Sequence, residues 1–315
     1  MQDFDLVIVG AGVAGLTAAM VAARHGLNMA VVDQIGVGGQ ISNAERIENF
    51  PGFPQGTAGH ELGPLLHEQA EAAGASFVLD TIVALEAGEP HIVRGVAETL
   101  RAGAVIIAAG SSLRALGIPG EERLAGRGVS HCASCDGPLF RGQEVGVIGG
   151  GDAALDEALV LAAHASRVTI FHRGPTLRAQ QALVKRVEGE RRIAIALDTV
   201  VEEIIGDEAV AGVRLRDARN GAKRDTPLKG VFVYVGLEPN TAFLRGTLAL
   251  DPTGHIETDI QMRSSVAGIF AAGDIRKGSV AQLAAVAGDG ATAAITACRY
   301  LGARVTTGRV GTSPR

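Results

Sequence analysis

Apolar runs that end in glycine organise this chain. Phe4-Asp-Leu-Val-Ile-Val-Gly10 reads as a buried strand, and an apolar, alanine-rich helix follows from about Gly12 to Arg24. Met29-Ala-Val-Val-Asp33 is the next strand, so the opening is a βαβ unit. After the Pro/Gly-rich loop Asn49-Phe-Pro-Gly-Phe-Pro54, helical character returns over residues 58–73. Two strand-like segments flank Gly88–Pro90, and Ala104-Val-Ile-Ile-Ala108 runs into a further glycine loop. The opening pattern then recurs, displaced by 139 residues: strand Glu144–Ile148, glycines 149–151, helix Asp152–Ala163 and strand Arg167–Phe171. Strand-like Gly268–Asp274 and an alanine-rich helix to about Leu301 follow.

The repeat predicts an α/β fold made of two Rossmann-like dinucleotide-binding domains, the second inserted into the first. Gly117-Ile-Pro-Gly120 and Glu238-Pro-Asn240 suit the two crossings, and a length of 315 residues suits two domains. Glycine accounts for 43 residues, about twice its usual share, which points to tight turns and close backbone approaches. The net charge of −5 without any block of like charge disfavours a nucleic-acid binder, which needs clustered Lys and Arg. No stretch of 18 residues is free of charge or loop signals, so no membrane span is expected. The opening Met1-Gln-Asp-Phe-Asp5 lacks the basic region of a signal peptide, and three cysteines make no disulfide scaffold. The reducing cytoplasm is the expected compartment.

Three motifs carry chemistry. Gly10-Ala-Gly12-Val-Ala-Gly15 fits G-x-G-x-x-G, with glycines for the tight turn, for the approach of a pyrophosphate and for helix–strand packing. Asp33, at the end of the next strand, is placed to hold ribose hydroxyls. Gly149-Gly-Gly151-Asp-Ala-Ala154 fits the variant G-x-G-x-x-A, and its next strand runs into His172-Arg173, where a base accommodates a 2′-phosphate that an acid would repel. Two such loops in one chain suggest two different dinucleotides. Cys132-Ala-Ser-Cys135-Asp136-Gly137 can close a small disulfide ring, with Asp136 as a proton donor or acceptor or as a turn cap. Zinc would need four ligands, and the remaining Cys298 lies far along an apolar helix where it packs as a small hydrophobe, so no metal is expected. His131 adjoins the pair as a polar or packing neighbour.

These residues, in this order, resemble the low-molecular-weight thioredoxin reductases, two-domain flavoprotein disulfide reductases. The likeness also covers Gly38-Gly-Gln40, Ile47-Glu-Asn49 before Pro51-Gly52, and Gly268–Asp274. A dithiol just before the second nucleotide motif, rather than near the N-terminus, separates this group from the glutathione-reductase-like enzymes. The resemblance implies FAD on residues 1–116 and 242–315, held by Gly10, Gly12, Val13, Ala14, Gly15, Asp33, Gly39, Gln40, Asn49, Val83, Gly110, Asp274 and Gln282. It implies NADPH, with NADH possible, on residues 117–241, held by Gly149, Gly151, Asp152, Ala153, Ala154, His172, Arg173 and Arg178. Cys135 would face the flavin, Cys132 would attack the disulfide of thioredoxin or a thioredoxin-like protein, and Asp136 would handle the proton. Nicotinamide and disulfide need the same flavin face, so the inserted domain would turn about its hinges. The group's usual homodimer carries over in the same way.

Two departures stand out. The group's basic signature His-Arg-Arg-x-x-x-Arg reads His172-Arg173-Gly174-Pro-Thr-Leu-Arg178, and its Arg-Gln-Ala near the flavin reads Ala281-Gln282-Leu283. The first weakens the preference for NADPH, and the second removes a charge near the flavin. Two other readings compete with a nicotinamide-dependent reductase: a ferredoxin-linked or small-molecule dithiol oxidoreductase with FAD alone, and a nucleotide-binding redox sensor without turnover. The intact Gly149–Ala154 loop argues against the first and the Cys-x-x-Cys beside an acid against the second.

Overall fold

The computed structural model describes residues 2–244 and 246–309, the last seven of these as backbone only. Residues 310–315, at the end of the expected first domain, lie outside the described residues. The chain divides into two compact units, Met1–Ser112 with Glu238–Arg315, and Leu113–Leu237.

The first unit opens with β1 (Gln2–Val9), α1 (Val13–Arg24) and β2 (Met29–Asp33). Leu6, Val7 and Ile8 are fully buried, as befits a parallel strand covered on both faces. Helix α2 (Gly59–Ala72) leads to β3 (Ser76–Leu79), which extends the parallel sheet beyond β2. The segments on either side of Pro90 form an antiparallel hairpin, β4 (Ile82–Glu86) and β5 (His91–Gly95). Strand β6 (Thr99–Ile107) then returns beside β1, in register from Gln2 opposite Leu100 to Val9 opposite Ile107. This pairing explains why β1 begins at Gln2, two residues before its apolar run. The chain leaves the unit through β7 (Ser111–Leu113).

The second unit carries β8 (Val129–Ser130), α3 (Ala133–Asp136), β9 (Glu144–Gly149), α4 (Asp152–Ala162), β10 (Arg167–Phe171), α5 (Gln181–Gly189) and β11 (Ile193–Ala196). A three-stranded antiparallel sheet follows: β12 (Thr199–Gly206), β13 (Val210–Asp217) and β14 (Lys223–Pro227). Its exposed face carries cross-strand ion pairs, Arg214 with Glu203 and Asp225, and Arg216 and Lys223 with Glu202. The buried β15 (Gly230–Tyr234) completes a parallel sheet in the order β11-β10-β9-β15-β8. The chain returns through β16 (Leu237–Pro239), which pairs with β7. In the first unit, β17 (Ile269–Ala271) pairs with the last third of β6, while β5 pairs with its first half. Helix α6 (Leu283–Arg309) then packs on α1. The helix expected to about Leu301 runs on to Arg309.

Both βαβ turns depend on missing side chains. Gly10 has φ +107, and a Cβ there would overlap the Ala108 carbonyl. A Cβ on Gly15 would overlap the carbonyl oxygen of Gly10, so strand and helix touch backbone to backbone. In the second unit the equivalent position holds Ala154, 1% exposed, whose methyl fills the gap beside Gly149. Gly15→Ala should therefore lower the unfolding free energy by about 2 kcal/mol or more, an overpacking cost. Ala154→Gly should cost about 1 kcal/mol, mainly helix propensity. Urea titration ranks the two, and an unchanged midpoint for Gly15→Ala would show that α1 is free to shift.

Candidate functional site

In the first unit the carboxyl ends of β1, β2, β6 and β17 converge on a cavity of about 430 Å3. Open parallel sheets bind ligands at this end, where neighbouring connections depart to opposite sides. Gly10, Gly12, Val13, Ala14, Asp33, Gly39, Gln40, Gly110 and Asp274 line it. Gly15 lies beneath, pinning α1 to its strand. No atom stands within 4 Å of where a Cβ on Gly12 would be, so the turn is open toward the cavity. Helix α1 also starts without a side-chain cap, which leaves its first amides and its positive end for an anion. A second cavity of about 130 Å3 shares Gly10, Asp33, Ala109 and Asn240 with the first and continues to Asp80 and Phe243.

Asp33 does more than face the cavity. Its Oδ2 accepts the Ala11 N–H at 2.8 Å, and its Oδ1 accepts those of Ile35 and Gly36 at 2.9 and 3.0 Å. Asp274 is held by Ser279 Oγ at 2.5 Å, and its carbonyl accepts from Ser111 Oγ at 2.8 Å. Gln40 Nε2 donates to the Ser111 carbonyl at 2.6 Å. Asn49 and Gln282, 233 residues apart, meet at 3.0 Å but line neither cavity. Val83 is 52% exposed and also lines neither.

Sequence reasoning missed four residues here. Asn240 lines both cavities, donating to the Ala109 carbonyl at 2.8 Å and accepting from Ser112 Oγ at 2.7 Å. Asp80 accepts the amides of Thr81, Val96, Ala97 and Glu98; these outweigh its burial and hold its carboxyl below the usual range. Half-buried Arg276 and buried Asp289 form a two-pronged pair at 2.6 and 2.9 Å, and Asp289 also accepts the Gly273 N–H at 3.2 Å. No motif marks any of them, because each has a partner distant in sequence.

In the second unit three predicted features gather at the carboxyl end of one parallel sheet. The glycine loop follows β9, His172-Arg173 follows β10, and the cysteines follow β8. Gly151, like Gly12, faces open space. His172 is 8% exposed and its ring fills the space a Cβ on Gly150 would need. Burial, and then the charges of Arg178 and Arg173, keep its pKa below the ordinary imidazole value. The Arg178 N–H donates to the Gly150 carbonyl at 2.7 Å, which sets that arginine beside the loop. Asp152 turns toward Gln180, with both oxygens bonded at 2.7 Å. Ala153 is exposed.

Cys132 and Cys135 form a disulfide, with Cα atoms 5.4 Å apart. Cys135 is exposed and Cys132 half-buried. Ser130 Oγ accepts the Cys132 N–H at 3.1 Å, and Cys132 Sγ accepts the Cys135 N–H at 3.2 Å. Asp136 ends the short α3, directly after Cys135. A bonded pair on an accessible turn is suited to thiol–disulfide exchange, which needs one sulfur open to attack. Cys298 is a free thiol whose pKa is raised by burial. Among the described residues, no group of three or more His, Cys, Asp or Glu side chains could hold a metal, and no helix is long and apolar enough to cross a membrane.

A sequence model of the pyridine nucleotide-disulphide oxidoreductases matches residues 4–291. The chain belongs to that family. It is 41% identical over 303 residues to thioredoxin reductase of Streptomyces coelicolor, covering 95% of this chain and 94% of that protein. The thioredoxin reductase of Treponema pallidum is 42% identical over 301 residues, covering 95% and 97%. Among solved structures, Lactococcus lactis thioredoxin reductase superposes with a TM-score of 0.93 at 39% identity, over 95% of this chain and 99% of that one. The T. acidophilum thioredoxin reductase gives 0.91 at 36% identity, with the same coverage. The pair of Rossmann-like folds read from the repeat is thus the family's own architecture.

Within the family frame, both departures have a location. A Cβ on Gly174 would lie 3.1 Å from His172 Nε2, so this glycine and the buried imidazole are packed together. Ala281 has φ +50, in the left-handed region that residues with a Cβ seldom adopt, and its N–H donates to Ser279 Oγ at 3.3 Å. The Arg276–Asp289 pair beside the Gly273-Asp274 turn gives a direct test. Arg276→Ala should lower stability by about 3 kcal/mol, because it strands the buried Asp289 carboxylate, and Asp289→Ala by less, because Arg276 is half-buried. The double variant should lose much less than the sum, and a double-mutant cycle in urea measures that coupling.

Proposed function

We propose that this chain is an NAD(P)H-dependent flavoprotein that reduces the disulfide of thioredoxin or a thioredoxin-like protein through Cys132 and Cys135. The observation that carries the reading is the disulfide's position, at the carboxyl end of the same parallel sheet as an open glycine loop and separated from it by β15 alone. Relatives named thioredoxin reductase, matched over 95% of this chain, support the same reading.

The donor set of the first cavity fits FAD. The open Gly12 turn and the uncapped end of α1 suit a pyrophosphate, Asp33 the ribose, and Asp274 with Gln40 the polar parts beyond. Asn49, Gln282 and Val83 would act from outside the cavity as it stands. Bound FAD would relay a hydride equivalent from the nicotinamide to the disulfide. The net change is NAD(P)H plus one proton plus a disulfide, giving NAD(P)+ and a dithiol. In the second unit, Gly149, Gly151 and Ala154 would admit the nucleotide's pyrophosphate at the start of α4. Arg173 and Arg178 would meet a 2′-phosphate, and His172 would act as a neutral wall between them. Cys132 would attack the partner's disulfide, Cys135 would release the mixed disulfide, and Asp136 would supply or take the proton. The open Gly151 turn favours this reading over a ferredoxin-linked one, which has no use for it.

Purified protein should be yellow and should bleach on adding NADPH under anaerobic conditions. Cys132→Ser and Cys135→Ser should each abolish thioredoxin reduction while bleaching persists. Bleaching without thioredoxin reduction by the native protein would point to another disulfide substrate, and no bleaching at all would sink the nicotinamide assignment.

Nucleotide choice is the more divided question. With one arginine of the basic signature replaced by Gly174, NADPH should be preferred over NADH, but modestly. Arg178→Ala removes a charge-assisted contact of about 1.5–3 kcal/mol and should lower the NADPH/NADH ratio of kcat/KM by roughly one to two decades. Steady-state kinetics with both nucleotides decides this, and an unchanged ratio would remove Arg178 from the site.

A further inference from the structure

Helix α4 joins two parts of the chemistry. It begins at the glycine loop, and a turn and a half along it Glu157 Oε2 accepts the Ala133 N–H at 2.8 Å. Ala133 follows Cys132 directly and is fully buried. Four covalent bonds separate that amide nitrogen from Cys132 Sγ. The Tyr234 hydroxyl, at the end of β15, lies beside the same carboxylate; burial, then the Glu157 charge, push its pKa up, so it stays neutral.

The elements packed on this turn are α4 and the 3-10 turn Gly137–Phe140. Together with α3, β8 and β15 they contain no lysine or arginine. Their ionisable groups are Asp136 on α3, Asp152, Asp156 and Glu157 on α4, and Tyr234 on β15. Of the nearby histidines, His131 Nδ1 contacts the Val233 carbonyl at 3.0 Å, and the His164 ring stands beside Gly137. Asp152 is occupied by Gln180. Glu157 thus reaches from α4 directly to the backbone between the cysteines.

Any acceptor of the right shape could hold a neutral amide. A carboxylate also places a negative charge near two sulfurs, and such a charge opposes thiolate formation. The thiolate is the nucleophile in disulfide exchange. We propose that Glu157 is a positioning residue for the dithiol that also restrains its thiolate. It anchors the Cys132–Cys135 turn through the Ala133 amide, and its charge favours the protonated dithiol. When two electrons and two protons open the S–S bond, both sulfurs then end as thiols rather than one remaining a thiolate. The inference rests on the Cys132–Cys135 pair being the redox dithiol, but it requires no particular electron donor or protein substrate.

The test uses the full-length protein reduced by dithiothreitol, so it is independent of nicotinamide, flavin reduction and thioredoxin. After removal of the reductant, iodoacetamide alkylation of Cys132 and Cys135 is followed by mass spectrometry across pH 5–10 in native protein, Glu157→Gln and Glu157→Ala. The midpoint of the Cys132 profile should fall by about half to one pH unit in Glu157→Gln, which keeps an acceptor but loses the charge. Glu157→Ala loses both, and its dithiol should re-form the disulfide with diamide at least tenfold more slowly than that of Glu157→Gln. A Gln variant with the native midpoint would overturn the electrostatic role. An Ala variant that closes the ring as fast as the Gln variant would overturn the positioning role. If Glu157→Ala does not fold, the Gln midpoint alone decides.

Discussion

A strand can hand its chain straight to a helix only where the two backbones are able to touch. At Gly15 they do, since a Cβ there would occupy the carbonyl oxygen of Gly10, while Gly10 itself lies against the Ala108 carbonyl after β6. That contact brings the first turn of α1 to the edge of the sheet, and the absence of a side chain at Gly12 leaves its amides open. The second unit solves the same problem with one difference. Gly149, at φ +154, leaves room for the Ala154 methyl, so a larger residue packs where the first unit tolerates none. Every other feature of the two sites is arranged around helices placed in this way.

The acids around the first cavity serve mainly to hold backbone. Asp33 accepts three amides, Asp80 accepts four, and Asp289 takes both an arginine and the Gly273 amide. Hydrogen bonds to charged acceptors are worth about 1.5–3 kcal/mol each, more than neutral ones. Loops with several such anchors start close to the geometry a ligand needs, and less ordering remains to be done on binding. The dithiol turn follows the same logic in the second unit, where Glu157 and Ser130 each take an amide beside Cys132.

Both glycine loops, the cysteine pair and the repeat were legible in sequence because each is local. A turn without side chains, or two thiols three residues apart, carries its chemistry within a few positions. The supporting residues were not legible for the opposite reason. Asn240 bonds Ala109 across 131 residues, Glu157 bonds Ala133 across 24, and Ser111 bonds Asp274 across 163. The pairing of β7 with β16 brings the first of these together, and that of β6 with β17 the last. The sheet β12–β14 escaped notice because its strands mix apolar positions with the charges of its ion-pair ladder. Val83, Asn49 and Gln282 show the reverse case: they are placed by resemblance, yet lie outside the cavities in this fold.

The departure at Gly174 is better understood through packing than through charge alone. His172 is squeezed between Gly150 and Gly174, and burial keeps its ring neutral. A residue with a Cβ at 174 would have to move that ring by a few tenths of an ångström, and the ring has no room toward Gly150. Restoring the arginine would add a cation while disturbing the wall beside it, so the gain in phosphate affinity and the cost in packing would oppose each other. Arg173 and Arg178 are exposed, and their charges act on the buried ring from the solvent side.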